Sequence, residues 1–87
     1  MLAKEKKKEL FRRLNRISGQ VEGLKKMVEE TRYCIDILTQ IAAARSALSS
    51  AGSYILEDHM KTCVKRAMKN GKGDREIKEL MNVFQKF

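Results

Sequence analysis

The sequence predicts an all-α fold of three helices, which are of medium, long and short length in chain order. Proline is absent from the 87 residues, so no residue type forces a helix to break. Apolar residues recur at alternating spacings of four and three, which is the period of one helix face. Residues 70–74 include two glycines and form the one gap with loop character. We therefore expect a single helical domain over residues 1–87, without a linker or an internal repeat.

The first helix is predicted from an apolar stripe between residues 10 and 28. The stripe consists of Leu10, Leu14, Ile17, Val21, Leu24 and Val28. Gly19 and Gly23 lie in the same stretch, and each costs about 1 kcal/mol relative to alanine inside a helix. We therefore expect another backbone to approach closely there. The apolar rhythm is lost at residues 29–32, where Thr31 is expected to cap a second helix.

The second helix is expected over about residues 32–69, a long stretch with no internal stop apart from Gly52. Its apolar stripe consists of Ile37, Ile41, Ala44, Leu48, Ala51 and Ile55. Residues 42–52 are nearly all small, and small side chains allow two helices to approach closely.

A short third helix is expected after the glycine-containing gap. Asp74 is a good residue to cap its beginning. Its apolar face consists of Ile77, Leu80, Met81 and Phe84.

The net charge of +8 is concentrated in two blocks. The first block, within residues 1–16, consists of Lys4, Lys6, Lys7, Lys8, Arg12, Arg13 and Arg16, against two acidic residues. The second block contains no acidic residue and consists of Lys61, Lys65, Arg66, Lys69 and Lys72. Such blocks favour nucleic acid or an anionic membrane surface as a partner over a merely solvated helix face. A membrane is the weaker alternative, because Trp is absent and no basic helix carries bulky aromatic residues.

Three soft or nitrogenous ligands share one face of the predicted second helix. At about 100° per residue, Cys34, His59 and Cys63 point in nearly the same direction. Cys34 is nevertheless about 37 Å from His59 along a straight helix, so one chain cannot join them through a metal. An antiparallel second copy would bring Cys34 beside His59 and Cys63 of its mate. The two-fold axis would then pass near residues 46–49, inside the tract of small residues, so spacing and composition indicate the same crossing.

Two thiolates and one imidazole favour a particular metal. Thiolates select soft ions, above all Cu(I), whereas Zn²⁺ prefers four ligands and nickel or cobalt prefer more nitrogen and oxygen. Taken singly, a buried cysteine is usually a small hydrophobic residue, and a lone histidine is usually a satisfied one. The shared phase and the symmetric midpoint favour a metal site or a thiol sensor over that interpretation.

Several classes of protein are disfavoured. Two cysteines cannot supply a disulfide framework, so a chain of this size is expected to gain stability by oligomerisation. The sequence shows no signal peptide and no run long enough to span a membrane. We therefore expect a cytoplasmic protein with reduced thiols. No nucleophile–base pair and no phosphate-binding loop is evident, so an enzyme is not expected.

At residues 13–24 the chain resembles the opening helix of the CsoR-type (copper-sensitive operon repressor) metal-responsive repressors. That stretch reads RLNRISGQVEGL. Tyr33–Cys34 followed by His59-x-x-x-Cys63 is similar to the copper-sensing branch of that family, and the resemblance extends over essentially the whole chain. It implies an antiparallel four-helix-bundle dimer, two such dimers forming a tetramer, and DNA binding without a helix-turn-helix.

The resemblance also implies roles for individual residues. Cys34 of one protomer would bind Cu(I) together with His59 and Cys63 of the other. Tyr33 and Glu79 match positions that orient the ligands or transmit the effect of the metal. Nickel- and cobalt-sensing members use an N-terminal histidine, where this chain has Leu2, and lack the last cysteine. Persulfide-sensing members lack the histidine, and formaldehyde-sensing members do not combine both thiols with it.

The resulting hypothesis is a repressor that binds operator DNA without metal and releases it on binding Cu(I). Arg13 and Arg16 are the strongest candidates for DNA contact, with Arg12 beside them. Lys4, Lys6, Lys7 and Lys8 are expected to attract phosphates regardless of sequence. Two alternatives remain open: a thiol- or persulfide-sensing repressor of the same fold, and a cytosolic copper buffer or chaperone with incidental basic blocks.

Overall fold

The structure of the protein is a computed structural model that describes residues 2–71 and 74–86, apart from the side chains at positions 63, 64, 67 and 70. Three α-helices follow one another: α1 (Lys4–Glu29), α2 (Cys34–Asn70) and α3 (Asp74–Phe84). Their lengths are 26, 37 and 11 residues, and the described residues contain no strand. The predicted all-α fold with a medium, a long and a short helix is therefore confirmed.

The end of α1 differs from the prediction made for Thr31. Thr31 does not cap α2; its φ of 54° is left-handed, and its N–H donates to the carbonyl of Val28 at 3.1 Å. The N–H of Arg32 donates to the carbonyl of Met27 at 3.0 Å. These two bonds form a Schellman motif, in which a left-handed residue satisfies the last carbonyls of a helix. The loss of apolar rhythm therefore marked the end of α1 rather than the beginning of α2.

The beginning of α2 lies two residues later than predicted and its end one residue later. The carbonyl of Tyr33 accepts hydrogen bonds from the N–H groups of Asp36 at 3.0 Å and Ile37 at 3.2 Å, so Tyr33 occupies the cap position. After Asn70, Gly71 adopts a φ of 63°, a conformation that glycine reaches without steric cost. The predicted break at this glycine is confirmed, whereas Lys72 lies outside the described residues.

The chain divides into two compact units, and the boundary falls within α2. The N-terminal unit is Ala3–Ala51, and the C-terminal unit is Gly52–Phe87 together with residues 1–2. The expectation that residues 1–87 act as one domain stays a prediction.

The N-terminal unit contains α1 and the first half of α2. Its buried apolar residues are Ile17 and Ala51, one from the predicted stripe of each helix. A Cβ built at Gly19 or at Gly23 meets no other described atom within 4 Å. The expected close approach of another backbone at these glycines therefore does not occur among the described residues.

The C-terminal unit contains the second half of α2 and α3. Leu56 is its buried apolar residue. The guanidinium of Arg66 forms an ion pair with Glu76 of α3 at 2.8 Å, which ties the two helices of the unit together. Asp74 is the first residue of α3, where a carboxylate is favoured by the helix dipole.

Most of the predicted apolar face is not covered within the chain. Only Ile17, Ala51 and Leu56 are buried hydrophobic residues in the described part, whereas Leu14, Val21 and many others are exposed. An apolar surface of this extent is typical of an interface with another molecule. No helix in the described ranges combines the length and the hydropathy needed to cross a bilayer.

Candidate functional site

Cys34 is the first residue of α2 and carries an exposed free thiol. Tyr33 precedes it in the cap position, and its ring is also exposed. The thiol lies at the N-terminus of α2, where the first N–H groups of a helix lack intrahelical acceptors. Cys34 is therefore accessible to a metal ion or to another chain.

The exposed thiol continues an apolar row on α2. Ile41 and Leu48 follow Cys34 at intervals of seven residues, which keeps all three on one side of the helix. The two apolar residues are 46% and 54% exposed. The cysteine thus lies at the end of an uncovered hydrophobic face of the N-terminal unit.

His59 lies in the C-terminal unit and is half-buried. It lines a cavity of about 300 Å³ together with residues of α2 and α3. The other lining residues are Gly52, Ile55, Leu56, Glu76, Glu79, Leu80 and Val83. The walls are mainly apolar, so the imidazole and the two carboxylates are the groups that give the cavity its chemistry.

Glu79 lines this cavity together with His59, while its role in orienting the histidine stays a prediction. Its carboxylate is 71% exposed and only loosely paired, at 3.9 Å from Nε of Arg75. Glu76, which lines the same cavity, was missed by the sequence analysis, because only packing of α3 on α2 brings it there.

Cys63 follows His59 by one helical turn in α2, but its side chain lies outside the described part of the structure. Among the side chains that are described, no group of three or more His, Cys, Asp or Glu residues is arranged to hold a metal. Cys34 belongs to the N-terminal unit and His59 to the C-terminal unit. The predicted three-residue ligand set therefore remains a prediction.

A basic groove lies between α1 and α2 within the N-terminal unit. Arg12, Arg13 and Arg16 line it from α1, and the groove has a volume of about 340 Å³. Its other lining residues are Ile17, Gln20, Ala47 and Ser50. The three arginines predicted to contact DNA are therefore brought to one concave surface. The small residues Ala47 and Ser50 are what leaves this groove open on the α2 side.

The carboxylate of Glu9 binds two of these arginines. Its Oε2 accepts from Nε of Arg12 at 2.9 Å, and its Oε1 accepts from Nη2 of Arg12 at 2.7 Å. Nε of Arg13 also donates to Oε1, at 3.1 Å. The hydrogen bonds from Arg12, and then those from Arg13, lower the pKa of Glu9 to about 2. The same bonds raise the pKa of Arg12, so the cluster is fully ionised near neutral pH.

Glu9 was not among the residues predicted to act at the DNA-binding surface, although its spacing from Arg12 and Arg13 indicates the contact. Residues three and four positions apart are neighbours on a helix surface, and Glu9 precedes Arg12 and Arg13 by those distances.

The lysines at the beginning of α1 are mostly accessible to a partner. Lys4, Lys7 and Lys8 are exposed, and Lys6 is half-buried. In the second basic block, Lys61 lies 3.7 Å from Glu57.

Known proteins resemble this chain over most of its length. The sequence profile of the family described as metal-sensitive transcriptional repressors matches residues 6–86. The copper-sensing transcriptional repressor CsoR of Bacillus subtilis (strain 168) is 47% identical over 83 residues, which are 95% of this chain and 82% of the relative. The copper-sensing transcriptional repressor RicR of Mycobacterium tuberculosis (strain H37Rv) is 46% identical over 67 residues, 77% of this chain and 70% of the relative.

Two solved structures resemble the fold. The copper-sensing repressor CsoR with Cu(I) from Geobacillus thermodenitrificans NG80-2 superposes with a TM-score of 0.90 at 46% identity, over 100% of this chain and 91% of that one. The nickel-responsive transcriptional regulator InrS superposes with a TM-score of 0.81 at 40% identity, over 91% of this chain and 89% of that one. Since the family profile covers nearly every residue and both relatives exceed 40% identity, the chain belongs to the metal-sensitive transcriptional repressors.

Proposed function

We propose that this protein is a copper(I)-responsive transcriptional repressor of the cytoplasm, which binds operator DNA when metal-free and releases it on binding Cu(I). The observation that carries the proposal is that three candidate metal donors lie on one helix of a chain similar to copper-sensing repressors. Cys34, His59 and Cys63 all belong to α2, in a chain that is 47% identical to a copper-sensing repressor. All 87 residues would act together as one metal-sensing and DNA-binding domain.

The chemistry of the donor set fits Cu(I). Two thiolates and one imidazole supply soft donors in a number that suits a three-coordinate monovalent ion. Zn²⁺ would lack a fourth protein ligand, and Ni²⁺ would lack the additional nitrogen and oxygen donors that it prefers. When bound, the ion would serve as a link between side chains and would perform no reaction.

The site would be assembled between two protomers that pack in antiparallel fashion. One observation supports this arrangement: the exposed apolar row of Ile41 and Leu48 carries Cys34 at its end. Covering that row with a second copy would remove apolar surface from water and bring Cys34 towards the His59 end of the other α2. Two such dimers would form the tetramer.

Operator DNA would be bound by the groove of arginines and by the first lysines of α1. Arg12, Arg13 and Arg16 line one concave surface, and guanidinium groups can bind phosphates and base edges through two donors at once. Lys4, Lys7 and Lys8 are exposed on the same helix and would add sequence-independent attraction. Helix α1 would therefore be the main contact element.

Coupling between metal and DNA would pass through the C-terminal unit. His59 and Glu79 line one cavity between α2 and α3, so fixing the imidazole would also fix the helix that carries Glu79. Tyr33, next to Cys34 at the N-terminal end of α2, would help to orient the cysteine ligand. Release requires the DNA-free form to hold the metal more tightly than the DNA-bound form, and linkage makes that effect reciprocal.

A Cu(I) titration of the DNA-bound protein tests this proposal. The DNA upstream of the gene would be labelled with a fluorophore and bound by metal-free protein under reducing, anaerobic conditions. We expect anisotropy to fall as Cu(I) is added and to remain high with Ni²⁺ or Zn²⁺. Release by an oxidant or a persulfide but not by Cu(I) would establish the thiol-sensing alternative instead. Tight Cu(I) binding without any DNA binding would establish the copper buffer.

A further inference from the structure

The carboxylate of Glu9 is bound differently from the other carboxylates on α1. It accepts three hydrogen bonds from two guanidinium groups, at 2.7 to 3.1 Å, and its side chain is only 31% exposed. Glu22, by comparison, contacts one lysine, Lys25, at 3.2 Å, and its side chain is 69% exposed. The Glu22 contact is a typical surface pair of little energetic consequence.

The two arginines held by Glu9 line the basic groove together with Arg16. Glu9 occupies both Nε and Nη2 of Arg12, which is the edge that binds a carboxylate or a phosphate through two parallel bonds. A DNA phosphate approaching that edge must displace the carboxylate. Glu9 also cancels one of the three positive charges of the groove and repels phosphates that come near it.

We propose that Glu9 is a specificity-determining residue of the DNA-binding surface: it holds Arg12 and Arg13 and thereby weakens sequence-independent binding to phosphates more than operator binding. This inference rests on the proposed function, since it presumes that α1 contacts DNA. The chemical partner concerned is the phosphate backbone of duplex DNA of any sequence.

The two binding modes respond differently for a physical reason. Non-specific binding depends almost entirely on the positive charge that neutralises phosphates, so a carboxylate among the arginines weakens it directly. Operator binding also depends on contacts to base edges, which require guanidinium groups at defined positions. By fixing two of those groups before DNA arrives, Glu9 lowers the entropy lost on forming specific contacts. Glu9 therefore weakens the attraction to phosphates on every duplex, but only on the operator is that loss offset by better-positioned guanidinium groups.

The experiment compares Glu9→Gln with the parent protein on two labelled duplexes over a series of salt concentrations. One duplex is the operator, recovered by the parent protein from a randomised pool, and the other has the same composition in scrambled order. We expect affinity for the scrambled duplex to rise about three- to fivefold. The slope of log affinity against log salt should steepen by roughly 0.9 for each phosphate gained. Operator affinity should rise less, so the ratio between the two duplexes should fall.

Glu22→Gln is the matched control, because it removes the same charge from the same helix while leaving the groove unchanged. It should leave both affinities and both salt slopes close to those of the parent protein. An equal rise in Glu22→Gln would show that net charge alone is responsible and would overturn the proposal. An unchanged or lower affinity of Glu9→Gln for the scrambled duplex would overturn it as well. A parent protein that binds neither duplex would instead overturn the proposed function.

Discussion

Thr31 adopts a left-handed conformation with a φ of 54°, which is costly for a β-branched residue. Its N–H nevertheless satisfies the carbonyl of Val28 at the end of α1. We expect Thr31→Gly to stabilise the fold by about 0.5–1 kcal/mol, since glycine removes the steric cost but gives up more unfolded-state entropy. Urea unfolding at equal protein concentrations measures the difference.

Glu30 supplies the control for that substitution. It is the neighbouring residue and has an ordinary φ of −80°, so Glu30→Gly gains no steric relief and should destabilise the fold by up to about 1 kcal/mol. If both glycine variants destabilise equally, Thr31 carries no conformational strain.

Loss of metal affinity and loss of DNA release should be separable at the three proposed ligands. Cys34→Ala or Cys63→Ala removes a thiolate, so Cu(I) affinity should fall by orders of magnitude. His59→Ala leaves two thiolates, which still hold Cu(I) in a nearly linear arrangement. The Cu(I) affinity of this variant should stay appreciable while release of DNA is lost. The reason is that an ion held by two thiolates alone does not reposition the end of α2 that carries residue 59. Competition against a Cu(I) chelator and operator anisotropy measure the two effects.

Tyr33→Phe and Glu79→Ala should resemble His59→Ala more than the cysteine variants. Both residues would orient ligands or transmit the change rather than bind the ion. If His59→Ala releases DNA on Cu(I) addition as well as the parent protein does, the histidine is not the coupling ligand.

The uncovered apolar row of α2, which includes Ile41 and Leu48, is the surface that we expect a second copy of the chain to cover. Leu48 is 54% exposed in the middle of that row, so a charge there costs little within one protomer but is buried in a dimer. We expect Leu48→Glu to shift the protein to lower mass in sedimentation and to weaken Cu(I) binding at the same time. Ser46→Glu, an exposed position on the opposite side of the helix, should change neither.

An assembly that survives Leu48→Glu would mean that α2 does not form the dimer contact near residues 46–49. Ala47 is already partly engaged within the protomer, since it lines the groove with Arg13 and Arg16 of α1. Ala47 therefore also lines a surface within its own protomer, and this role was not anticipated from the sequence.

The molecule as a whole carries a charge of +8 and collects three arginines in one groove. DNA affinity should therefore fall steeply with salt, by roughly 0.9 log units per tenfold increase for each phosphate neutralised. Arg13→Ala and Arg16→Ala should weaken binding and flatten that dependence without lowering thermal stability, since neither side chain is buried. Mobility shifts at two salt concentrations, with thermal unfolding alongside, measure both. If DNA affinity changes neither with salt concentration nor in the two alanine variants, α1 does not contact DNA as proposed.

The local order of the chain followed from its sequence, because it depends on short-range effects. The alternating spacing of four and three in apolar stripes that include Ile17 and Ile41 predicted the helices α1 and α2. Gly71 predicted the break before α3. The donor chemistry was likewise a prediction from the sequence, since the shared helical phase of Cys34, His59 and Cys63 favoured a soft-metal site or a thiol sensor. Glu9 could also have been found, since its partners lie one helical turn away.

Packing decided what the sequence left open. Thr31 could have capped the beginning of α2 or ended α1 in a left-handed conformation, and both roles were compatible with the sequence. In the structure Thr31 ends α1, where its N–H donates to the carbonyl of Val28. The cavity shared by His59, Glu76 and Glu79 exists only because α3 folds back on α2, as the pair of Arg66 and Glu76 at 2.8 Å shows. The sequence by itself therefore determined the helices and the donor chemistry, which are local properties. Only the tertiary structure decided which groups of different helices meet, such as Arg66 and Glu76, because contacts between residues distant in the chain depend on how whole helices pack.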